Sequence, residues 1–207
     1  MIKNNINTEE QNKSLWKLAS ELRMFPINDI GQAVIAFLFL RRMDCLFLPY
    51  YKQVRNAFAH SMVDDLHLYE LTNGLTFYNN SGKSLDDLLK SEVDFTDRFD
   101  RWLNGFDIET KNTLNGLGFN RNLSIMKQSR AFYKLLQSVS QINLTEPLDA
   151  ELIYELLMSM RSRSAGQFFS PKEYGEIIAA LLFQKTDVRV DATIFDPVCG
   201  SSLMPNA

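Results

Sequence analysis

At 207 residues, with 45% hydrophobic and 23% charged side chains, the chain has the composition of a globular protein of one or two domains. Its formal net charge of -3 excludes a protein that coats nucleic acid by bulk positive charge, but leaves room for a local DNA-facing patch. The two cysteines, Cys45 and Cys199, are too far apart in sequence to suggest a disulfide framework or a cysteine zinc site, which points to a cytoplasmic setting.

The N-terminal residues are polar and lack a signal-peptide core. Thr8-Glu9-Glu10-Gln11 has the form of a capping box, and Leu15, Leu18, Ala19 and Leu22 follow at helical spacing. A first helix is expected from about Glu9 to Arg23, broken by Phe25-Pro26. Asn28 or Asp29 caps a second helix through the apolar stretch Val34 to Leu48. Its longest apolar run, Ala33 to Leu40, is too short for a membrane span and ends at Arg41 and Arg42, which read as a solvated face. Pro49 ends or kinks this helix, and Tyr50 to His60 continues helically. His60 and His67 read as solvated or capping residues rather than a metal pair.

Leu75 to Asn79 has the residue types of a short strand, and Asn79 to Lys83 has turn chemistry. A helix is expected to start at Ser84 and to close at Asn104-Gly105. Between Ser84 and Thr110 eight acidic residues stand against three basic ones, scattered among Leu88, Leu89, Phe95, Phe99 and Trp102, which reads as a solvated helix face. Asn115-Gly116-Leu117-Gly118 lacks the strand–loop–helix context of a phosphate loop. Two further helices are expected, Ser129 to Gln141 and Asp149 to Met160. Arg161-Ser-Arg163-Ser-Ala-Gly166 reads as a linker, which places a domain boundary between residues 165 and 166.

Two motifs follow. Gly166-Gln167-Phe168-Phe169-Ser170-Pro171 runs into Lys172-Glu173, where Ser170 suits an N-cap, Pro171 the first helical position and Glu173 the capping-box position. Tyr174, Ile177, Ile178, Leu181 and Leu182 then form an apolar stripe. Asp191 to Phe195 reads as a buried strand, and Asp196-Pro197-Val198-Cys199-Gly200-Ser201 as the turn after it. Ligands of open α/β sheets bind beyond the carboxyl ends of strands, and the free N–H groups of a following helix receive a carboxylate.

Together and in this order, the two motifs resemble the start of the catalytic domain of adenine-specific DNA methyltransferases, and in particular the modification (M) subunit of type I restriction–modification systems. Four earlier segments are similar to that family as well: Leu15 to Arg23, Phe39 to Asp44, Phe77 to Ser81 with Leu85 and Leu88-Leu89, and Trp102 to Phe106. The resemblance implies a mainly α chain: a helical-bundle domain over residues 1–165 with a small β element, then the first part of a Rossmann-like methyltransferase domain over 166–207. It implies that S-adenosyl-L-methionine is the cofactor. Gln167, Phe168, Phe169, Ser170, Pro171 and Lys172 would pack against it, and Asp196, Pro197, Cys199, Gly200, Ser201 and Ser202 would line its methionine end. It implies DNA, a specificity subunit, a second M subunit and a restriction subunit as partners.

The chain departs from the family pattern at Ser202, where a second glycine is expected, and at Pro205. The family's catalytic Asn/Asp-Pro-Pro-Phe/Tyr motif needs adjacent prolines, and the six here (Pro26, Pro49, Pro147, Pro171, Pro197, Pro205) never adjoin. No catalytic residue is therefore assigned, and these 207 residues are expected to be inactive alone. The competing expectation is a non-catalytic helical module that binds a specificity subunit or clamps DNA.

Overall fold

The computed structural model describes residues 13–60, 63–146, 148, 152–153, 172–183 and 195. The chain divides into two compact units, Met1–Leu156 and Leu157–Ala207. The first unit is helical. Residues 13–22 form α1, in which Leu15, Leu18, Ala19 and Leu22 are all buried, as their spacing demands. The proposed cap at Thr8 lies outside the described residues.

α2 (Ile30–Phe47) begins where the Asp29 carboxylate accepts the Gln32 N–H at 2.9 Å. It stops before Pro49, and α3 (Tyr51–His60) resumes beyond it. In the last turn of α3, His60 Nδ1 donates to the Asn56 carbonyl at 2.7 Å. α2 buries a broad face, from Ala33 and Val34 to Phe47, and none of its residues is fully exposed. A helix with so wide an apolar face belongs in a core, and α2 packs against α7 (Ile108–Gly116), α8 (Phe119–Met126) and α9 (Ala131–Ser140). Phe37 of α2 meets Phe119 of α8 edge to face at 5.2 Å.

Between α3 and α7 lie α4 (Asp65–Leu71), α5 (Leu85–Leu88) and α6 (Phe95–Asn104). Ser84 and Asp87 close a full capping box on α5. The single helix expected from Ser84 to Asn104 is in fact two. Asp94 stands at φ +49, outside the right-handed helical region, and the break at residues 89–94 lets α6 turn its aromatic side onto α9. There Phe99 meets Phe132 edge to face at 5.3 Å, and Phe95 meets Tyr133 at 4.9 Å. The acidic residues of this stretch do face solvent or its margin, while Phe95, Phe99 and Trp102 are buried.

The expected strand at Leu75 to Asn79 is reduced to one antiparallel bridge, Asn79 with Phe106. Its partner follows directly on α6, so no second run of extended chain is available to lengthen the ladder. The bridge is nevertheless firmly built. Asn80 N–H donates to Gly105 O at 2.9 Å, and Asp107 N–H to Tyr78 O at 3.1 Å. The wholly buried Asn79 side chain donates to Trp102 O at 3.0 Å and accepts from Ser81 N–H at 2.9 Å. Gly105 is required by this close approach: a Cβ there would stand 2.5 Å from Asn79 Oδ1.

In the second unit, α10 (Lys172–Phe183) is the described element. Of the helix expected from Asp149 to Met160, only residues 152 and 153 are described, both helical.

Candidate functional site

Of the residues expected to hold a cofactor, Gln167, Phe168, Phe169, Ser170, Pro171, Asp196, Pro197, Cys199, Gly200, Ser201 and Ser202 lie outside the described residues, as do residues 191–194 of the strand expected at Asp191 to Phe195. Lys172 is described as the first residue of α10, so a helix does start where Ser170-Pro171-Lys172-Glu173 says one should. The apolar stripe on that helix is exposed: Tyr174, Ile177, Ile178 and Leu181 are all among the large hydrophobic residues open to solvent, as is Phe195.

The segment that precedes this region in sequence is held by side chains of α2. Arg41 is only 8% exposed, which overturns the solvated-face reading of this residue. Its Nε donates to Ile142 O at 2.9 Å and its Nη2 to Ser140 O at 2.5 Å, while Nη1 meets Asp44 Oδ2 at 2.6 Å. Arg42 Nη1 donates to the carbonyls of Leu144 and Thr145. Two adjacent arginines thus grip the chain where it leaves α9, by supplying donors to carbonyls that no helix satisfies.

Asp44 is the centre of this arrangement and has no solvent exposure. Besides Arg41, its carboxylate accepts from Tyr51 Oη at 2.8 Å and from Leu85 N–H at 3.0 Å. Burial pushes the Asp44 carboxyl above the usual carboxylate range, against the pull of the Leu85 amide, Arg41 and Tyr51. Burial also raises the Tyr51 phenol, and the adjacent Asp44 charge adds to the effect. α2, α3, the start of α5 and the exit from α9 are therefore tied at one buried carboxylate. Sequence reading missed this cluster because its partners lie up to about a hundred residues away; the only local signal was an Arg and an Asp three apart at the end of an apolar run.

The cluster is a structural knot: its described hydrogen bonds tie parts of the helical unit to one another. Among the described residues, no group of three or more His, Cys, Asp and Glu side chains is placed to hold a metal ion. No helix of the described residues is long and apolar enough to cross a membrane.

Comparison with known families decides what this helical unit is. Residues 11–139, more than half of the chain, match the model of the HsdM N-terminal domain. The chain belongs to the modification-subunit family of type I restriction–modification systems. Residues 150–204 match a second model, N-6 DNA Methylase, which covers both motifs of the C-terminal region. All four earlier segments of resemblance fall within the first match. In the structure, Phe77 to Ser81 and Trp102 to Phe106 form the two sides of the Asn79–Phe106 bridge, and Phe39 to Asp44 supplies the arginine grip. No curated protein and no solved structure gives a significant match to the chain.

Proposed function

We propose that this protein is the N-terminal part of an adenine-specific DNA methyltransferase subunit, in which the helical unit positions DNA and partner subunits. The intact enzyme would take its methyl group from S-adenosyl-L-methionine and place it on the exocyclic amine of adenine in DNA. One observation carries this reading: a match to the HsdM N-terminal domain over residues 11–139 is followed directly by a match to N-6 DNA Methylase over 150–204. The two expected cofactor motifs, Gln167 to Lys172 and Asp196 to Ser202, both fall in the second match. The proposed division is a helical domain over 1–165 and the opening of the methyltransferase domain over 166–207. A specificity subunit, a second M subunit, a restriction subunit and DNA are the proposed partners, in the cytoplasm.

By itself the 207-residue polypeptide is proposed not to transfer methyl groups, because none of its prolines adjoin to make the family's catalytic motif. A base flipped from the duplex also needs a pocket that stacks and hydrogen-bonds it. Incubating the polypeptide with adenine-containing duplex DNA and radiolabelled S-adenosyl-L-methionine tests this. Background incorporation is expected, and methylated adenine would overturn it. Pro205 favours a second reading, a non-catalytic helical module that binds a specificity subunit or clamps DNA. That reading requires a complex on size-exclusion chromatography with a specificity subunit, and no heat of S-adenosyl-L-methionine binding by calorimetry.

A further inference from the structure

Beside the Asn79–Phe106 bridge lies an open cleft of about 560 Å³, lined from α4, residues 75–78 and 80, residues 104–106 and the start of α7. Asn79, Gly105 and Asp107 are accounted for by the fold: a buried amide, a close approach and the cap of α7. The side chains around the opening are not. Tyr69, 50% exposed, and Ile108, 66% exposed, both line it. Tyr78 lines it as well, its ring against Phe58 at 5.3 Å. The side-chain amides of Asn80 and Asn104 both line the cleft, both residues are exposed, and neither amide has a hydrogen-bond partner among the described residues.

Charge in the cleft is one-sided. Asp65, Asp107 and Glu109 line it against Lys111, whose ammonium is drawn to the Asn104 carbonyl at 3.3 Å. The Tyr78 phenol reports the resulting field: partial burial raises its pKa most, and the charges of Asp107 and Asp65 raise it further. Phosphate groups of DNA are repelled by such a surface, whereas a cation is drawn to it.

We propose that this cleft docks an extended segment of a partner protein that presents an arginine beside an apolar side chain. The guanidinium is planar, so it stacks on Tyr78 or Tyr69 while its N–H groups meet the carboxylates of Asp65 or Glu109. Asn80 and Asn104 offer both donors and acceptors to the peptide groups of the segment. Ile108 and Leu75 take the apolar neighbour. The face of the helical unit that carries this cleft is then a protein-binding face and not a DNA-binding one. None of the residues named for the cleft belongs to the cofactor motifs, so the fate of the methyltransferase reading leaves this one untouched.

Amide NMR spectra of the full 207-residue chain test the proposal, with N-acetyl-leucyl-arginine amide as probe at millimolar concentration. Shifts are expected at Tyr69, Tyr78, Asn80, Ile108 and Glu109. The citrulline counterpart, which keeps the shape and loses the charge, should bind about fivefold more weakly. The double variant Asp65→Asn, Glu109→Gln should weaken the arginine probe by a similar factor while its remaining spectrum shows an intact fold. A short DNA duplex should leave the cleft signals unmoved. The proposal is overturned if the arginine probe gives no shifts at the cleft, if citrulline binds equally well, or if the duplex moves these signals.

Discussion

Replacing Arg41 with methionine keeps most of the aliphatic stem and removes its three hydrogen bonds and its 3.8 Å contact with the Asp86 carboxylate. The Asp44 carboxylate, with no solvent exposure, then loses its counter-charge at 2.6 Å. Orphaning one partner of a buried ion pair costs about 3–5 kcal/mol. Asp44 keeps the Tyr51 hydroxyl and the Leu85 amide, which favours the lower end of that range. The Ile142 carbonyl loses a buried donor, worth about 1 kcal/mol more, while the Ser140 carbonyl is partly buried and regains water. The expected loss is therefore about 4 kcal/mol, a large share of the roughly 5–15 kcal/mol that stabilises a domain. It corresponds to a fall in thermal midpoint on the order of 10 °C, read by far-ultraviolet circular dichroism. Arg42→Met is the control: it removes donors to Leu144 and Thr145 but strands no buried charge, and should cost about 1 kcal/mol. The effect of pH has a definite sign. A carboxyl whose folded pKa is raised contributes stability at low pH that is lost as pH rises through the folded value. Without Arg41 the Asp44 carboxyl is raised further, so the variant loses more over that rise than the parent does. The gap between them should widen as pH rises above the ordinary carboxylate range. A loss at Arg41 no larger than at Arg42, or a gap that narrows as pH rises, would refute the central place given to the buried pair.

Two glycines make opposite predictions. Gly105→Ala places a Cβ 2.5 Å from Asn79 Oδ1 and 3.0 Å from Ser81 N, so the bridge must shift, and urea denaturation should show a loss of about 2 kcal/mol. Gly116→Ala, in the last turn of α7 with nothing within 4 Å of the new Cβ, should be neutral or gain up to about 1 kcal/mol. Asp65→Asn removes one of the two charges that raise the Tyr78 phenol, so the Tyr78 titration followed by ring-selective NMR should move down; an unchanged or higher pKa would contradict the charge distribution of the cleft.

Helices with strong local signals were legible from sequence. Leu15, Leu18, Ala19 and Leu22 are all buried in α1, Asp29 caps α2 as one of two candidates, and Phe132, Leu135, Leu136 and Val139 all face inward from α9. The helices that escaped notice, α4, α7 and α8, were short, and two of them bury very little. α4 buries Leu68 and α7 buries Thr110 and Leu114, too few positions to show a period. What could have revealed them was their capping: Asp64 accepts the His67 N–H and Asp107 the Thr110 N–H, at 2.8 and 2.9 Å. The strand reading of Leu75 to Asn79 rested on residue type, yet pairing requires a second extended run, and residues 102–104 are helical. At the candidate cofactor site the helix start at Lys172 was legible, because capping is a local property. The exposure of the Tyr174, Ile177, Ile178 and Leu181 stripe was not, because burial depends on what packs against a helix and not on its own pattern.

The Phe39 to Asp44 segment shows why a motif identifies a family before it explains a role. Its two arginines read naturally as solvated, or in a DNA-modifying family as phosphate contacts. The structure spends Arg41 inside the protein: Nε, Nη1 and Nη2 all have partners within the chain. A phosphate contact by Arg41 would require giving up those bonds and exposing Asp44 to no partner of opposite charge, a cost of several kcal/mol that one surface phosphate contact does not return. Its purpose is instead to fix residues 140–145, the stretch that joins the HsdM N-terminal match ending at 139 to the N-6 DNA Methylase match beginning at 150. A loop of this kind has no helix or sheet to satisfy its carbonyls, so side-chain donors from a core helix are an economical means of giving it one conformation. Asp44 makes that anchoring cooperative, because the same carboxylate also holds Tyr51 of α3 and the first N–H of α5. Loosening the exit from α9 therefore disturbs the helical unit itself, because the same knot holds residues 140–145 together with α2, α3 and α5.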